Sequence, residues 1–204
     1  MFQEAFEKLE LADIATILDR INPALEGATF DPVETTILSL PIHFYKGYQL
    51  LDIADNTVMP AIKRYALYSL ENFVVLDFTN KPIYKLNQQA PLQLNPDTVS
   101  DYVRFFFSFV RGKHGRFLIV ENVDDIHWKD EPPPNARKAI SKMVVPVAIL
   151  EEAKNGDFAL ESTMVFKGAL FKTNIAVQKN GTVTIKNEEL LVEDMPVLDD
   201  AFGQ

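Results

Sequence analysis

Cysteine is absent from all 204 residues, which excludes a disulfide framework, a thiolate zinc site and a cysteine nucleophile. Glycine is scarce at eight residues, so a phosphate-cradling loop would have little to work with. No Walker loop, dinucleotide-binding glycine motif, GxSxG elbow or HExxH helix occurs. With three histidines, few acid–base relays can be assembled, and no serine has a histidine and an acid nearby in sequence. No apolar run approaches the length that crosses a bilayer. The opening MFQEAFEKLE is acidic where a secretory signal would be basic and then apolar. A cytoplasmic location is the natural expectation.

Basic residues are also in deficit. Twenty Lys and Arg face 29 Asp and Glu, giving a net charge of -9. Such a field repels phosphate backbones and anionic bilayers, so neither nucleic acid nor membrane is an expected partner. It attracts basic proteins. What is abundant is apolar: 47% hydrophobic residues, including 15 phenylalanines, suffice for a core without metal or crosslink. The length predicts a single globular domain over residues 1–204, with a partly flexible acidic tail from about residue 187.

The segment LNPDTVSDYVRFFFSFVRGKHGRFLIVENV is the most informative part of the chain. Asn95 can cap a helix, Pro96 suits its first position and Asp97 faces the positive end of the dipole. Val99, Tyr102, Val103, Phe106 and Val110 recur at helical spacing, predicting a helix over 96–110. The turn Arg111–Arg116 ends it, and Phe117–Val120 reads as a strand. Gln3–Ile21 reads as helix, with Phe2, Phe6 and Leu9 as one stripe and Leu11, Ile14, Leu18 and Ile21 as another. Asn22-Pro23 terminates that pattern.

Strands are predicted at Thr35–Leu40, Ile42–Ile53 (interrupted at Lys46-Gly47), and Lys63–Leu70. Phe73–Phe78 and Ile83–Leu86 read as a hairpin, with Pro82 at a strand edge. Three prolines from Pro132 predict a stiff extended loop, followed by a helical turn or two within Ala136–Lys142. Met143–Glu151 leads to Asn155-Gly156, and a further strand ends at Asn180-Gly181. Both dipeptides are type I′ hairpin signals, so the C-terminal part reads as an antiparallel meander. The expected fold class is therefore α+β: a curved antiparallel sheet on a central helix, with an N-terminal helical segment.

Four groups of residues are candidates for function. Asp124, Asp125, His127, Asp130 and Glu131 surround Trp128 in a loop that could take a hard divalent ion or serve acid–base chemistry. The spacing matches no known ligand set, and anchoring of the loop by the Trp128 ring is the favoured expectation; no metal and no cofactor is assigned. Arg111, Lys113 and His114 make the nearest thing to an anion nest, although it lies at a helix C-terminus, where the dipole opposes an anion. His43 alternates with apolar neighbours and is expected on or near the core. Phe44, Tyr45, Tyr48, Tyr65, Tyr68, Phe73 and Phe78 could line a pocket, face a partner or fill the core. No stretch carries residues diagnostic of a known family. Without a catalytic constellation, the functional expectation is a non-catalytic interaction or regulatory module that binds a protein partner or a second copy of itself. The alternative is a small-molecule-binding or hydrolytic domain with a pocket between sheet and helix.

Overall fold

The computed structural model describes residues 6–198, apart from Glu26 and Ala28. They fall into two compact units, one within Phe2–Gln93 and one within Leu94–Gln204, called here the N unit and the C unit. The class is α+β. Among the described residues there are four α-helices and two open antiparallel sheets, and the C-terminal strands form the predicted meander.

In the N unit, Leu11–Ile21 forms α1. Ile14, Ile17, Leu18 and Ile21 recur on one face and are all buried, as the helical period requires. The expected helix from Gln3 is shorter than predicted. Glu7–Lys8 instead forms β1 and pairs with Thr35–Pro41, β2, leaving Phe6 and Leu9 outside any helix. Phe2 lies outside the described residues. Asn22-Pro23 does end the helix, by opening a 3-10 turn. The Asn22 side chain then ties both backbone groups of Phe30, donating to its carbonyl at 2.9 Å and accepting from its N–H at 3.0 Å. At the same helix end Arg20 donates to the Tyr68 hydroxyl at 2.8 Å and lies over that ring.

The sheet of this unit runs β1-β2-β3-β4-β5, each strand beside the next, with β3 at Gln49–Asp55, β4 at Ile62–Tyr68 and β5 at Phe73–Leu76. Ile37, Leu51, Ile53, Ala66 and Tyr68 present one face of it to α1 and Phe30. Two sequence expectations are corrected here. Residues 42–48 are not a strand; they form the turn that joins β2 to β3, so His43 is exposed and off the sheet. Ile83–Leu86 is not a returning strand either. Phe78 takes a left-handed φ of 61°, the chain leaves the sheet, and Lys81–Gln89 forms α2 with Pro82 in its first turn. Proline suits that position as well as a sheet edge, because its missing N–H would have no helical partner there. Ile83 and Leu86, three apart, are the buried side of α2. Of the clustered aromatics, Phe44, Tyr45, Tyr48 and Tyr68 are buried; they are core.

In the C unit, Val99–Phe109 forms α3. The Asn95 carboxamide accepts the Asp97 N–H at 2.8 Å, closing a turn before the helix and not capping it, so α3 starts later than predicted. Seven of its eleven residues are buried, and the Tyr102 hydroxyl donates to the Gly181 carbonyl at 2.6 Å. Leu118–Val120 is β6 and Pro134–Ser141 is α4, opened by the last of the three prolines. Ala148–Glu152, Phe158–Phe166, Ala169–Val177 and Val183–Val192 are β7 to β10. The acidic segment from Asn187 thus continues β10 to Val192, and Met195 beyond it is buried.

The hairpin turns differ from the predicted type. At Asn155-Gly156, the Gly156 N–H reaches the Ala153 carbonyl and the Ala153 N–H reaches the Asp157 carbonyl, with only Gly156 left-handed. The Gln178–Thr182 connection repeats this pattern with Gly181. Both are three-residue loops closed by a glycine bulge, the next commonest hairpin solution. The two-residue turn with both central residues at positive φ stands elsewhere, at Lys167 (48°) and Gly168 (74°) between β8 and β9.

Candidate functional site

One edge of β8 is divided. Its first half, Phe158–Glu161, pairs with β7, and Thr163–Val165 pairs with β6. Its other edge pairs with β9 throughout. This places β6, with the Arg111–Arg116 turn before it and the 3-10 segment Val123–Asp125 after it, next to the Lys167-Gly168 turn. The segment after β10 closes the arrangement. Met195 donates its N–H to the Gly168 carbonyl, Val197 bridges Trp128, and Leu198 donates to the His127 carbonyl.

Two adjoining cavities result, both lined by Arg116, Leu118 and His127. The first, of about 250 Å³, gathers Arg111, His114, Arg116, His127 and Lys167 with Leu118, Ile126, Val165, Val197 and Leu198. None of the described residues lining it is Asp or Glu. Two candidate groups far apart in sequence, the RGKHG turn and His127, therefore meet here. Lys113 is exposed and lines neither cavity. Arg116, Lys167 and the apolar wall were not nominated from the sequence. A lysine at a positive-φ turn position is the available signal, because αL backbone costs a β-carbon residue energy that Asn or Gly largely avoids. Here its ammonium stands 5.5 Å from the Phe166 ring, which stacks on Phe117 at 4.3 Å.

The second cavity, of about 260 Å³, lies between α3 and β6 and contains Arg104, Phe107, Ser108, Asp124 and Asp125 beside the shared residues. Its charges are already engaged. Arg104 forks onto Glu121, at 2.9 and 2.7 Å, and also bonds Asp101 at 2.7 Å. Burial pushes the Glu121 carboxyl up, but the bonded Arg104 guanidinium and the Val147 N–H outweigh it and hold the carboxyl below its ordinary range. The Glu121 hydrogen bond in turn raises Arg104. Asp125 accepts the Glu121 and Asn122 N–H groups at 2.9 and 2.8 Å, as a capping carboxylate. Asp124 and Glu131 are both held by Arg137.

The acidic loop is thus organised by a guanidinium and by backbone N–H groups. No group of three or more His, Asp or Glu that could hold a metal occurs among the described residues. Trp128 is half-buried against the Val120, Val123 and Ile126 cluster, with its indole N–H buried and without an acceptor among the described residues. Asp130 is exposed. His43 belongs to the N unit and joins none of these groups. Ser108, His127 and Asp125 do line one cavity, but no hydrogen bond links Ser108 to His127 or His127 to Asp125. A nucleophile–base–acid relay needs both contacts.

No protein-family model, no curated protein and no solved structure matches the chain. The chemistry of the site is therefore read from its residues alone.

Proposed function

We propose that this chain is a non-catalytic binding module whose C unit takes a small anionic ligand in the first cavity. One observation carries this reading: five side chains of basic type, and no carboxylate among the described lining residues, converge in a chain whose net charge is -9. Cations gathered in a cleft focus positive potential locally, even on a protein repulsive to anions at long range. Arginine adds a planar fork that matches carboxylate or phosphate oxygens. A hydrolytic role lacks support, since the second cavity holds a serine, a histidine and carboxylates without the contacts that would activate them.

Thermal unfolding with phosphate, sulfate, acetate and citrate at constant ionic strength tests the reading. A saturable rise in melting temperature is expected with at least one anion. It should vanish in an Arg116→Gln/Lys167→Gln double variant and persist in Lys138→Gln, which removes one charge on the exposed side of α4. A rise that survives the double variant, or none at all, refutes it.

The reading as a surface for a protein partner or a second copy is favoured by a separate feature. The β3–β4 connection of the N unit exposes Val58 and Met59, with Met59 at 96% exposure, and Ile62 beside them at the start of β4 is exposed too. Self-association that depends on concentration in sedimentation, and is lost in Met59→Asp, is its expected mark. A monomer at every concentration removes the second-copy form.

A further inference from the structure

Which anion the first cavity fits follows from what else lines it. The lining residues are of two kinds only, apart from Gly115 and Gly168. His114, His127 and Lys167 are exposed, whereas Ile126 and Val165 are buried, so positive groups stand at the mouth and aliphatic groups at the base. Leu118 and Val197 extend the aliphatic wall. Among the described residues no Ser, Thr, Asn, Gln, Asp or Glu side chain lines the cavity, so it offers sugar or polyol hydroxyls N–H donors but no carboxylate, amide or hydroxyl oxygen as acceptor. Among the described residues no Phe, Tyr or Trp lines it to stack on a nucleobase, and its two imidazoles, His114 and His127, are exposed. A bare inorganic anion would leave the aliphatic base in contact with water.

We infer that the ligand is a carboxylate on a short aliphatic body, its charge among Arg111, Arg116, His127 and Lys167 and its alkyl part against Ile126, Val165, Leu118 and Leu198. This rests on the anion-binding reading and adds the remainder of the molecule. At about 30 Å³ for each water-sized unit, a space of about 250 Å³ holds roughly eight non-hydrogen atoms. That is the size of hexanoate, and it lies just below the usual span of ligand pockets.

The experiment is a calorimetric titration of the full chain with acetate, butyrate, hexanoate and decanoate at one pH and ionic strength, beside inorganic phosphate and hexanamide. Affinity is expected to rise about fourfold for each added methylene up to hexanoate, and then to stop rising because the cavity is full. Hexanamide should bind at least about tenfold more weakly than hexanoate, for want of the charge-assisted bonds. Leu198→Ser changes a lining residue that is already partly exposed, and so leaves the fold intact. It should lower hexanoate affinity several-fold while leaving acetate unchanged. Equal affinities for phosphate, acetate and hexanoate would overturn the aliphatic ligand and leave anion binding standing. Equal affinities for hexanoate and hexanamide would overturn both readings, as would no binding by any probe. A rise that continues to decanoate, alike in the parent and in Leu198→Ser, would mark unspecific adsorption and also overturn the inference.

Discussion

The two units build antiparallel sheets in different ways, and the difference decides where a site can form. In the N unit each strand pairs with its sequence neighbour, and β2–β3 and β3–β4 stay in register over their whole length. Side chains on successive strands then stand opposite one another, and one face is filled by Ile37, Leu51, Ile53 and Ala66 beneath α1. In the C unit β8 shares one edge between β7 and β6, and β6 arrives from well outside the meander. Two short strands on one edge leave loops where a single strand would leave none. Those loops carry the basic turn and His127, and they meet Lys167 in the β8–β9 turn. Regular pairing makes core; divided pairing makes a cleft.

The sharpest way to break this comparison is to remove core side chains in each unit separately. Phe106→Ala in α3 should cost about 3–5 kcal/mol, and Leu18→Ala in α1 about 2–5 kcal/mol, since both side chains are buried. Trp128 is the only tryptophan and lies in the C unit, so its fluorescence reports on that unit while circular dichroism reports on both. Phe106→Ala must shift the fluorescence transition to lower denaturant. One cooperative domain, as the chain length suggests, requires Leu18→Ala to shift it too. A Leu18→Ala shift seen by circular dichroism alone would divide the chain into two folding units.

A smaller effect is expected at the ion-pair network that links α3 to Glu121, the residue after β6. Glu121→Gln removes the carboxylate that binds Arg104 and the Val147 N–H, and should destabilise the chain by about 2 kcal/mol. The pH dependence has a fixed sign. The folded Glu121 carboxyl is depressed, so its stabilisation is complete above the unfolded value of about 4.3 and is lost as pH falls through the lower folded value. The gap in melting temperature between parent and variant should therefore be constant near neutrality and close on acidification. A gap that stays open at low pH would show that packing, and not the charge, is what Glu121 contributes.

Legibility in the sequence followed the same division. Ile14, Leu18 and Ile21 announce α1, and the run from Thr35 announces β2, because each pattern is local and is satisfied by burial of one face. The α2 segment reads as a strand in the sequence but is a helix. Ile83 and Leu86 fit a helix as well as a hairpin, and only the positive φ at Phe78 turns the chain out of the sheet. The Asn-Gly pairs mark hairpins correctly but not their turn type, which depends on how the strands hydrogen-bond across the loop. For the site, Arg111, His114 and His127 could each be nominated as charged loop residues. Their meeting could not be read, because it depends on the non-local pairing of Leu118–Val120 with Thr163–Val165. Asp124 and Asp125 stood out as acids, yet the structure uses them for Arg137 and for capping.

Lys167 supplies the finest test, because stability and binding should move in opposite directions there. A two-residue hairpin turn with positive φ at both positions prefers Asn-Gly, and this chain has Lys-Gly. The left-handed backbone costs a lysine on the order of 1 kcal/mol, part of which Asn recovers through its local side-chain hydrogen bonding. Lys167→Asn is therefore expected to raise stability by about 0.5 kcal/mol while removing one of the five basic groups from the cavity. Anion affinity should fall severalfold in the same variant, and more steeply at low salt than at high salt. A protein that became more stable and kept its full affinity would show that Lys167 is a turn residue only. One that lost affinity together with stability would show that the turn tolerates lysine better than its backbone angles suggest. Loss of affinity with a gain in stability identifies a position where the fold gives up stability for a charge at the mouth of the cleft.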